Sequence, residues 1–393
     1  MPMSECYRND PHATTLADLR SLYVHVPFCH TICGYCDFYS EVYDKKAVGA
    51  LVDALLAELA RCAETAELQF DTIFVGGGTP TTLPVPLLSR LMSTLRGFCV
   101  PDATIEFTSE ANPATVTPQV AEALVASGVN RISIGAQSFN KSELAVLERI
   151  HDPRQVVETI QNARAAGIEN INVDLIFAVP GQTLASWRDN LRNAIDLGTR
   201  HLSCYGLTFE SGTPLFDQRA RGEIQQVDDG LEADMYEATI ADLAAAGFAQ
   251  YEISNFARPG YECRHNLRYW TNAPYLAIGP SACGFVDNVR YKNVPDTAAY
   301  VSAVRRGKSP RIEEETLDLA DQARDAAWLE LRLLRGIDRT SFAQRYGEDP
   351  SVRFATAIQK NLVAGLIEMD EASIRLTRSG LLLANRVMAD ILA

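Results

Sequence analysis

Leu22-Tyr23-Val24-His25-Val26-Pro27-Phe28-Cys29-His30-Thr31-Ile32-Cys33-Gly34-Tyr35-Cys36-Asp37-Phe38 is the stretch that decides the architecture. It opens on a short β-branched run, Leu22 to Val26, and passes directly into a C-x3-C-x2-C pattern formed by Cys29, Cys33 and Cys36. A strand that delivers three thiols from the loop at its carboxyl end belongs to an α/β protein whose active loops sit at strand ends. A compact loop can carry three thiolates to three irons of a four-iron, four-sulfur cube, leaving the fourth iron open to a ligand. The competing reading is a structural zinc site, with His25 or His30 as the fourth ligand. Zinc knuckles, however, repeat their cysteine pairs at a distance, and no second pair follows.

Working outward, apolar β-rich runs alternate with segments of helical period from Leu22 to Leu207, the pattern of a parallel sheet wrapped by helices. The runs are Leu22–Val26, Phe70–Val75, Thr104–Ser109, Arg131–Ile134, Asn170–Phe177 and His201–Leu207. Helical spacing is clearest around Ala47–Ala63, where Val48, Leu51, Val52, Leu55, Leu56 and Leu59 form one stripe. Gly128 and Gly167 each sit between a helical stretch and a strand, where a left-handed cap is needed. Six such units predict an incomplete (β/α)6 barrel rather than the closed eight.

Beyond Leu207 the pattern changes. A helix is expected near Asp229–Ala246, then an aromatic and polar segment, Tyr251 to Gly284, with no decisive period. Helical period returns from Glu313 through Leu334, and Ala355–Ala393 reads as helix, hairpin (Met369–Leu376), helix, a small winged-helix-like module. The expected organisation is an N-terminal extension (1–20), a partial barrel (21–250), a connecting segment (251–312) and a C-terminal module (313–393).

Of 393 residues 47% are hydrophobic, enough for a substantial core, and the net charge of −14 opposes a polyanionic partner, so nucleic acid is not expected. No uncharged apolar run approaches the roughly eighteen residues of a membrane span, and no secretory signal is visible, so a cytoplasmic location is expected. The nine cysteines are too few and too scattered outside the trio for a disulfide framework.

Further polar residues fall at strand ends. Gly76-Gly77-Gly78-Thr79-Pro80 follows the second run, and residues without side chains let backbone approach a ligand closely. Glu110 ends the third run and Gln137 follows the fourth. Asp174 lies inside an apolar run, Ile171 to Phe177, where a buried charge needs either an ion-pair partner or a ligand. Arg149, in Glu148-Arg149-Ile150-His151-Asp152, reads on its own as a paired or solvated surface group.

The cysteine spacing after a first strand resembles the signature of the radical S-adenosylmethionine (SAM) superfamily. The series Tyr23 to Cys29, Gly76 to Pro80, Asn130 to Phe139 and Asp174 to Ile176 resembles, within it, the oxygen-independent coproporphyrinogen III oxidase family and its heme chaperone HemW branch. The resemblance implies a [4Fe-4S] cluster on Cys29, Cys33 and Cys36, whose open iron is chelated by SAM. One electron from that cluster then breaks a sulfur–carbon bond of SAM. It further implies SAM contacts from Tyr23, Tyr35, Gly78, Thr79, Glu110, Gln137, Arg149 and Asp174.

Three features favour the chaperone branch over the oxidase. The oxidase has a further cysteine where this chain has Phe38, and a longer N-terminal arm. The segment His265-Asn266-Leu267-Arg268-Tyr269-Trp270 matches the H-N-x-x-Y-W stretch that the chaperones associate with heme. His265 offers an imidazole for heme iron, with Tyr269 and Trp270 able to stack on a porphyrin, although a hydrogen-bonded structural histidine fits equally well. The branch usually has a histidine where this chain has Cys283, a residue that can itself ligate heme iron. The implied partners are heme, acceptor hemoproteins and a reductant such as a flavodoxin-type donor. The alternative function is oxidative decarboxylation of coproporphyrinogen.

Overall fold

The computed structural model describes residues 19–101 and 104–393, so most of the expected N-terminal extension, together with Cys6, lies outside the described residues. Six strands, β1 (Ser21–Val26), β2 (Thr72–Gly77), β3 (Glu106–Ala111), β4 (Arg131–Gln137), β5 (Asn170–Phe177) and β6 (His201–Gly206), run parallel and adjacent in chain order. Helices α1 (Val48–Thr65), α2 (Val85–Arg96), α3 (Pro118–Ala126), α4 (Lys141–Val146), α5 (Pro153–Ala166) and α6 (Leu184–Asp196) fill the crossovers. Alternation along each strand divides the residues between two environments. Leu22, Val24 and Val26 of β1 are fully buried in the same core as Leu51, Leu55 and Leu59 of α1. Tyr23 and His25 point the other way, into a polar bore.

The sheet is larger than the six-strand reading. Among the described residues, strands β7 (Ala249–Gln250), β8 (Asn255–Ala257) and β9 (Leu276–Ile278) extend it to nine in the order β9-β1-β2-β3-β4-β5-β6-β8-β7. β9 is parallel to β1, whereas β8 is antiparallel to β6. Its two end strands, β9 and β7, do not pair, so the barrel is open. Gly128 and Gly167 take φ of 89° and 108° at helix ends, as their positions require. The third strand lies two residues later than expected, which brings Glu110 inside it. Phe70 makes only an isolated bridge to Cys99.

After α7 (Pro214–Ala220) and α8 (Asp229–Ala245), the short α9 (Arg264–Trp270) plugs the amino-terminal end of the barrel. Glu106, the first residue of β3, accepts from the backbone N–H groups of Arg264 and His265, both at 2.9 Å, placing a carboxylate at the helix start. A second sheet is built from β10 (Cys283–Val286), β11 (Val289–Asn293) and β12 (Arg311–Thr316).

The helical reading from Glu313 is corrected here: residues 311–316 form a strand, and α11 (Leu319–Glu330) begins only after it, α10 (Thr297–Arg305) having preceded. The acidic run pairs with a basic one, Arg290 opposite Glu315 and Lys292 opposite Glu313, and such opposite-charge cross-strand pairs favour the strand over an isolated helical turn. Glu58 of α1 fastens this region to the barrel. Its carboxylate accepts from Gly279 N–H at 3.0 Å, Asn293 Nδ2 at 3.0 Å and Tyr300 O–H at 2.5 Å. The C-terminal module contains a three-stranded sheet of β13 (Ile337–Asp338), β14 (Ile367–Met369) and β15 (Ser373–Leu376), with β15 central, and helices around it.

Candidate functional site

The cysteine loop leaves β1 at Pro27 and is closed at its base, where Glu41 N–H donates to Pro27 O at 2.9 Å and Tyr43 N–H to Cys29 O at 2.8 Å. Between these ties the chain can only project from the carboxyl end of the barrel. Cys29, Cys33 and Cys36 are half-buried and unbridged there. Burial pushes the Cys29 thiol up and the Cys36 thiol to about 11. A bound metal reverses that order, because a coordinating thiol is deprotonated outright.

The Gly76–Pro80 turn lies against this loop. Gly78 N–H donates to Val26 O at 2.9 Å and Thr79 N–H to Phe28 O at 2.8 Å, while Thr79 Oγ1 stands 3.5 Å from Cys29 Sγ. None of the three glycines has room for a side chain. A Cβ on Gly76 would meet the Glu110 carboxyl at 2.7 Å, one on Gly77 the His25 ring at 2.5 Å, and one on Gly78 the Pro27 carbonyl at 2.6 Å. Glu110 in turn accepts from Gly77 N–H at 3.0 Å. Burial, and then the charge of Asp174, raise its pKa to about 8.

On the far side of the bore Arg149 donates from Nη1 to Cys33 Sγ at 3.4 Å and from Nη2 to Gly135 O, with Nε buried and unpartnered. The surface reading of Arg149 is therefore replaced by a site position. Gln137 ends β4 at φ 64°, beyond an irregularity between Gly135 and Gln137 that turns its amide back toward Gly135. Asp174 accepts from Ser133 Oγ at 3.2 Å and Asn172 Nδ2 at 2.7 Å; burial raises its pKa against these hydrogen bonds. Tyr35 is held up by burial, with Arg149 opposing.

Tyr23, Tyr35, Gly78, Thr79, Glu110, Gln137, Arg149 and Asp174 thus converge around the open end of the barrel. Two roles escaped sequence reading. His25 donates from Nε2 to Tyr39 O at 2.9 Å, so its Nδ1 accepts from the Tyr23 hydroxyl at 3.0 Å, tying β1 to the end of the cysteine loop. Gly34 leaves room for the Glu148 carboxylate, 2.8 Å from where its Cβ would stand. The only sequence signal for His25 is its inward parity with Tyr23.

His265 is not part of this constellation. It is fully buried at the opposite end of the barrel. The Thr72 hydroxyl donates to Ser21 Oγ at 2.8 Å, so it accepts from His265 Nδ1 at 3.0 Å; Nε2 then accepts from the Tyr269 hydroxyl at 2.8 Å. The ring also stacks on Phe74 at 5.4 Å, and burial followed by the charge of Arg131 lowers its pKa to about 3. Both nitrogens are engaged within the fold. Cys283, by contrast, is exposed, on β10 opposite Lys292.

Three thiols on a loop at the carboxyl end of an open parallel barrel, facing a glycine turn, define a radical SAM fold. Residues 23–194 match the radical SAM superfamily and residues 317–383 the HemN C-terminal domain. The chain is 34% identical to the heme chaperone HemW of Bacillus subtilis over 95% of this chain and 99% of that protein. It is 41% identical to the Escherichia coli heme chaperone HemW over 68% of this chain and 70% of that one. The solved structure of coproporphyrinogen III oxidase (HemN) from E. coli, a radical SAM enzyme, superposes with a TM-score of 0.83 at 26% identity, covering 95% of this chain and 90% of that one. The chain belongs to the HemW heme chaperone family of radical SAM proteins. A [4Fe-4S] cluster, SAM and heme are the cofactors that this membership carries.

Proposed function

We propose that this protein holds a [4Fe-4S] cluster on Cys29, Cys33 and Cys36, binds SAM over it, and carries heme to acceptor hemoproteins. The observation that carries the reading is the enclosure of three half-buried thiols by a glycine turn and a guanidinium. Thiolates suit iron, and glycines with no room for Cβ atoms offer backbone to a close ligand. Glu110, Asp174, Arg149, Tyr23, Tyr35, Gly78, Thr79 and Gln137 surround the space beside them. Carboxylates there suit the ammonium and hydroxyl donors of SAM, and the guanidinium suits its carboxylate.

When bound, the cluster supplies single electrons. The chain's own residues do the rest. The Thr79 hydroxyl and the Arg149 guanidinium each donate toward a cysteine sulfur, which stabilises thiolates and favours the reduced state. A flavodoxin-type reductant would supply those electrons. Among the described residues no helix is long and apolar enough to cross a membrane, and we place the protein in the cytoplasm.

For heme, His265 serves only if α9 leaves the barrel and Tyr269 gives up Nε2. In the conformation described, its role is to lock the barrel's closed end. Anaerobic reconstitution tests the cluster: each Cys→Ala variant should lose iron, and wild-type iron content in any of them rejects the reading. Hemin titration tests the cargo. Stoichiometric binding by the wild type supports it, and weak, non-stoichiometric binding by both wild type and His265→Ala removes heme. The second reading, a coproporphyrinogen decarboxylase, is favoured by the HemN likeness alone. Decarboxylated product from that substrate with SAM and a reductant would establish it.

A further inference from the structure

Asn172 and Asp174 are two residues apart on β5 and so face the same side of the sheet, into the bore. Asn172 Nδ2 donates to Asp174 Oδ1 at 2.7 Å and to Ser133 Oγ at 2.7 Å, which fixes the amide with its oxygen turned the other way. That oxygen can only accept, and His201 Nδ1 lies 2.6 Å from it. His201 therefore carries its proton on Nδ1. Its Nε2, 2.8 Å from the Tyr251 oxygen, must accept from the Tyr251 hydroxyl. The same hydroxyl oxygen accepts from Cys263 N–H at 3.3 Å.

Each link from Cys263 through Tyr251, His201 and Asn172 consequently donates in one direction, and the chain ends on a carboxylate. Hydrogen bonds aligned this way polarise one another. His201 is completely buried, and burial with the charge of Arg131 holds its pKa well below the ordinary value, so it stays neutral and keeps one donor and one acceptor. A doubly protonated ring would break the direction at Tyr251. These side chains lie below the open end of the barrel, and Ser203 Oγ on β6 braces the same amide, 3.0 Å from Asn172 Nδ2 and 3.3 Å from its Oδ1.

We propose that Asn172, His201 and Tyr251 are positioning residues for Asp174, a directional chain that orients its carboxylate by donating to Oδ1 while Ser133 donates to Oδ2, leaving the remaining lone pairs to the donors of bound SAM. The inference rests on the reading of Asp174 as a SAM contact. It also makes the carboxylate's orientation depend on Cys263, at the start of α9, so the two ends of the barrel are joined by one continuous hydrogen-bonded path.

The test is SAM affinity of the reconstituted holoprotein, read from the SAM-induced change in the EPR spectrum of the reduced cluster, with iron content measured alongside. His201→Phe should keep its iron and its SAM-free spectrum yet bind SAM at least tenfold more weakly. His201→Asn places an amide donor where Nδ1 stood and should recover most of that loss, whereas His201→Gln, whose amide falls nearer Nε2, should not. A purely structural histidine would give no such order. Wild-type affinity in His201→Phe, or equal recovery by both amides, overturns the proposal. Should His201→Phe fail to hold a cluster, Tyr251→Phe decides: a several-fold weakening supports the chain and unchanged affinity refutes it. A wild-type protein with a full cluster and no response to SAM overturns the SAM reading itself.

Discussion

Gly77→Ala isolates the contact between the glycine turn and β1. Gly77 has φ of 104°, and an added Cβ would stand 2.5 Å from the His25 ring. The ring cannot swing aside cheaply, because it is only 5% exposed and both nitrogens are engaged, by Tyr23 and by Tyr39 O. The backbone cost of a side chain at positive φ is about 1–2 kcal/mol. Forcing a methyl into a packed site adds about 1–3 kcal/mol. The sum, about 2–5 kcal/mol, is a large share of the roughly 5–15 kcal/mol that holds a domain folded. Gly212→Ala is the control, since Gly212 has φ of 89° with no heavy atom near its would-be Cβ. It should show the backbone cost alone. Urea unfolding of the apo protein, with m-values compared to check that the unfolding transition is unchanged in kind, measures both. Gly77→Ala should also lose SAM affinity, because the turn that carries Thr79 toward Cys29 must move. If Gly77→Ala is no less stable than Gly212→Ala, the His25 contact is not a constraint and the argument fails.

Two further perturbations follow from buried carboxylates. Glu110 has its pKa raised from 4.5 to about 8, first by burial and then by Asp174, so the folded apo protein binds more protons than the unfolded chain across that interval. Stability should therefore fall as pH rises from about 4.5 to 8, by up to about 4–5 kcal/mol at 1.36 kcal/mol per unit, and Glu110→Gln should flatten the fall; a urea midpoint rising over that range in the wild type would contradict it. Glu58→Ala strands the Gly279 N–H, the Asn293 amide and the Tyr300 hydroxyl in the interior. At about 1–3 kcal/mol for each unsatisfied group, partly offset by water, a loss of about 3–5 kcal/mol is expected in denaturant titration, and a loss under about 1 kcal/mol would show that these groups find other partners.

How far the molecule can be read from its residues depends on the range of the forces involved. The barrel strands announce themselves through local β-branched runs, and Gly128 and Gly167 through the left-handed caps that a helix-to-strand turn demands. The third strand is misplaced by two residues for an instructive reason: a carboxylate is expected to end a strand, and only the bore, where Gly77 N–H donates to Glu110, makes one acceptable inside it. Residues 311–316 mislead in the opposite sense, since Arg-Ile-Glu-Glu-Glu-Thr is favoured as a strand by Arg290 and Lys292, which lie across from its acids and are remote from it in sequence.

The same limit explains the site. The cysteine trio and the glycine turn are contiguous motifs, each with a backbone reason for its spacing, and the structure brings them together. His265 is different. Whether an imidazole is a ligand or a strut depends on which atoms hold its two nitrogens, and Thr72 Oγ1 lies 193 residues away in sequence. Asn172 and His201 carry a faint local signal after all. An amide and an imidazole, each on the inward parity of a buried strand, cannot remain there unpaired, so each implies a partner across the bore. Inward polar residues on neighbouring parallel strands therefore predict one another, and a carboxylate among them, as at Asp174, marks where such a chain must end.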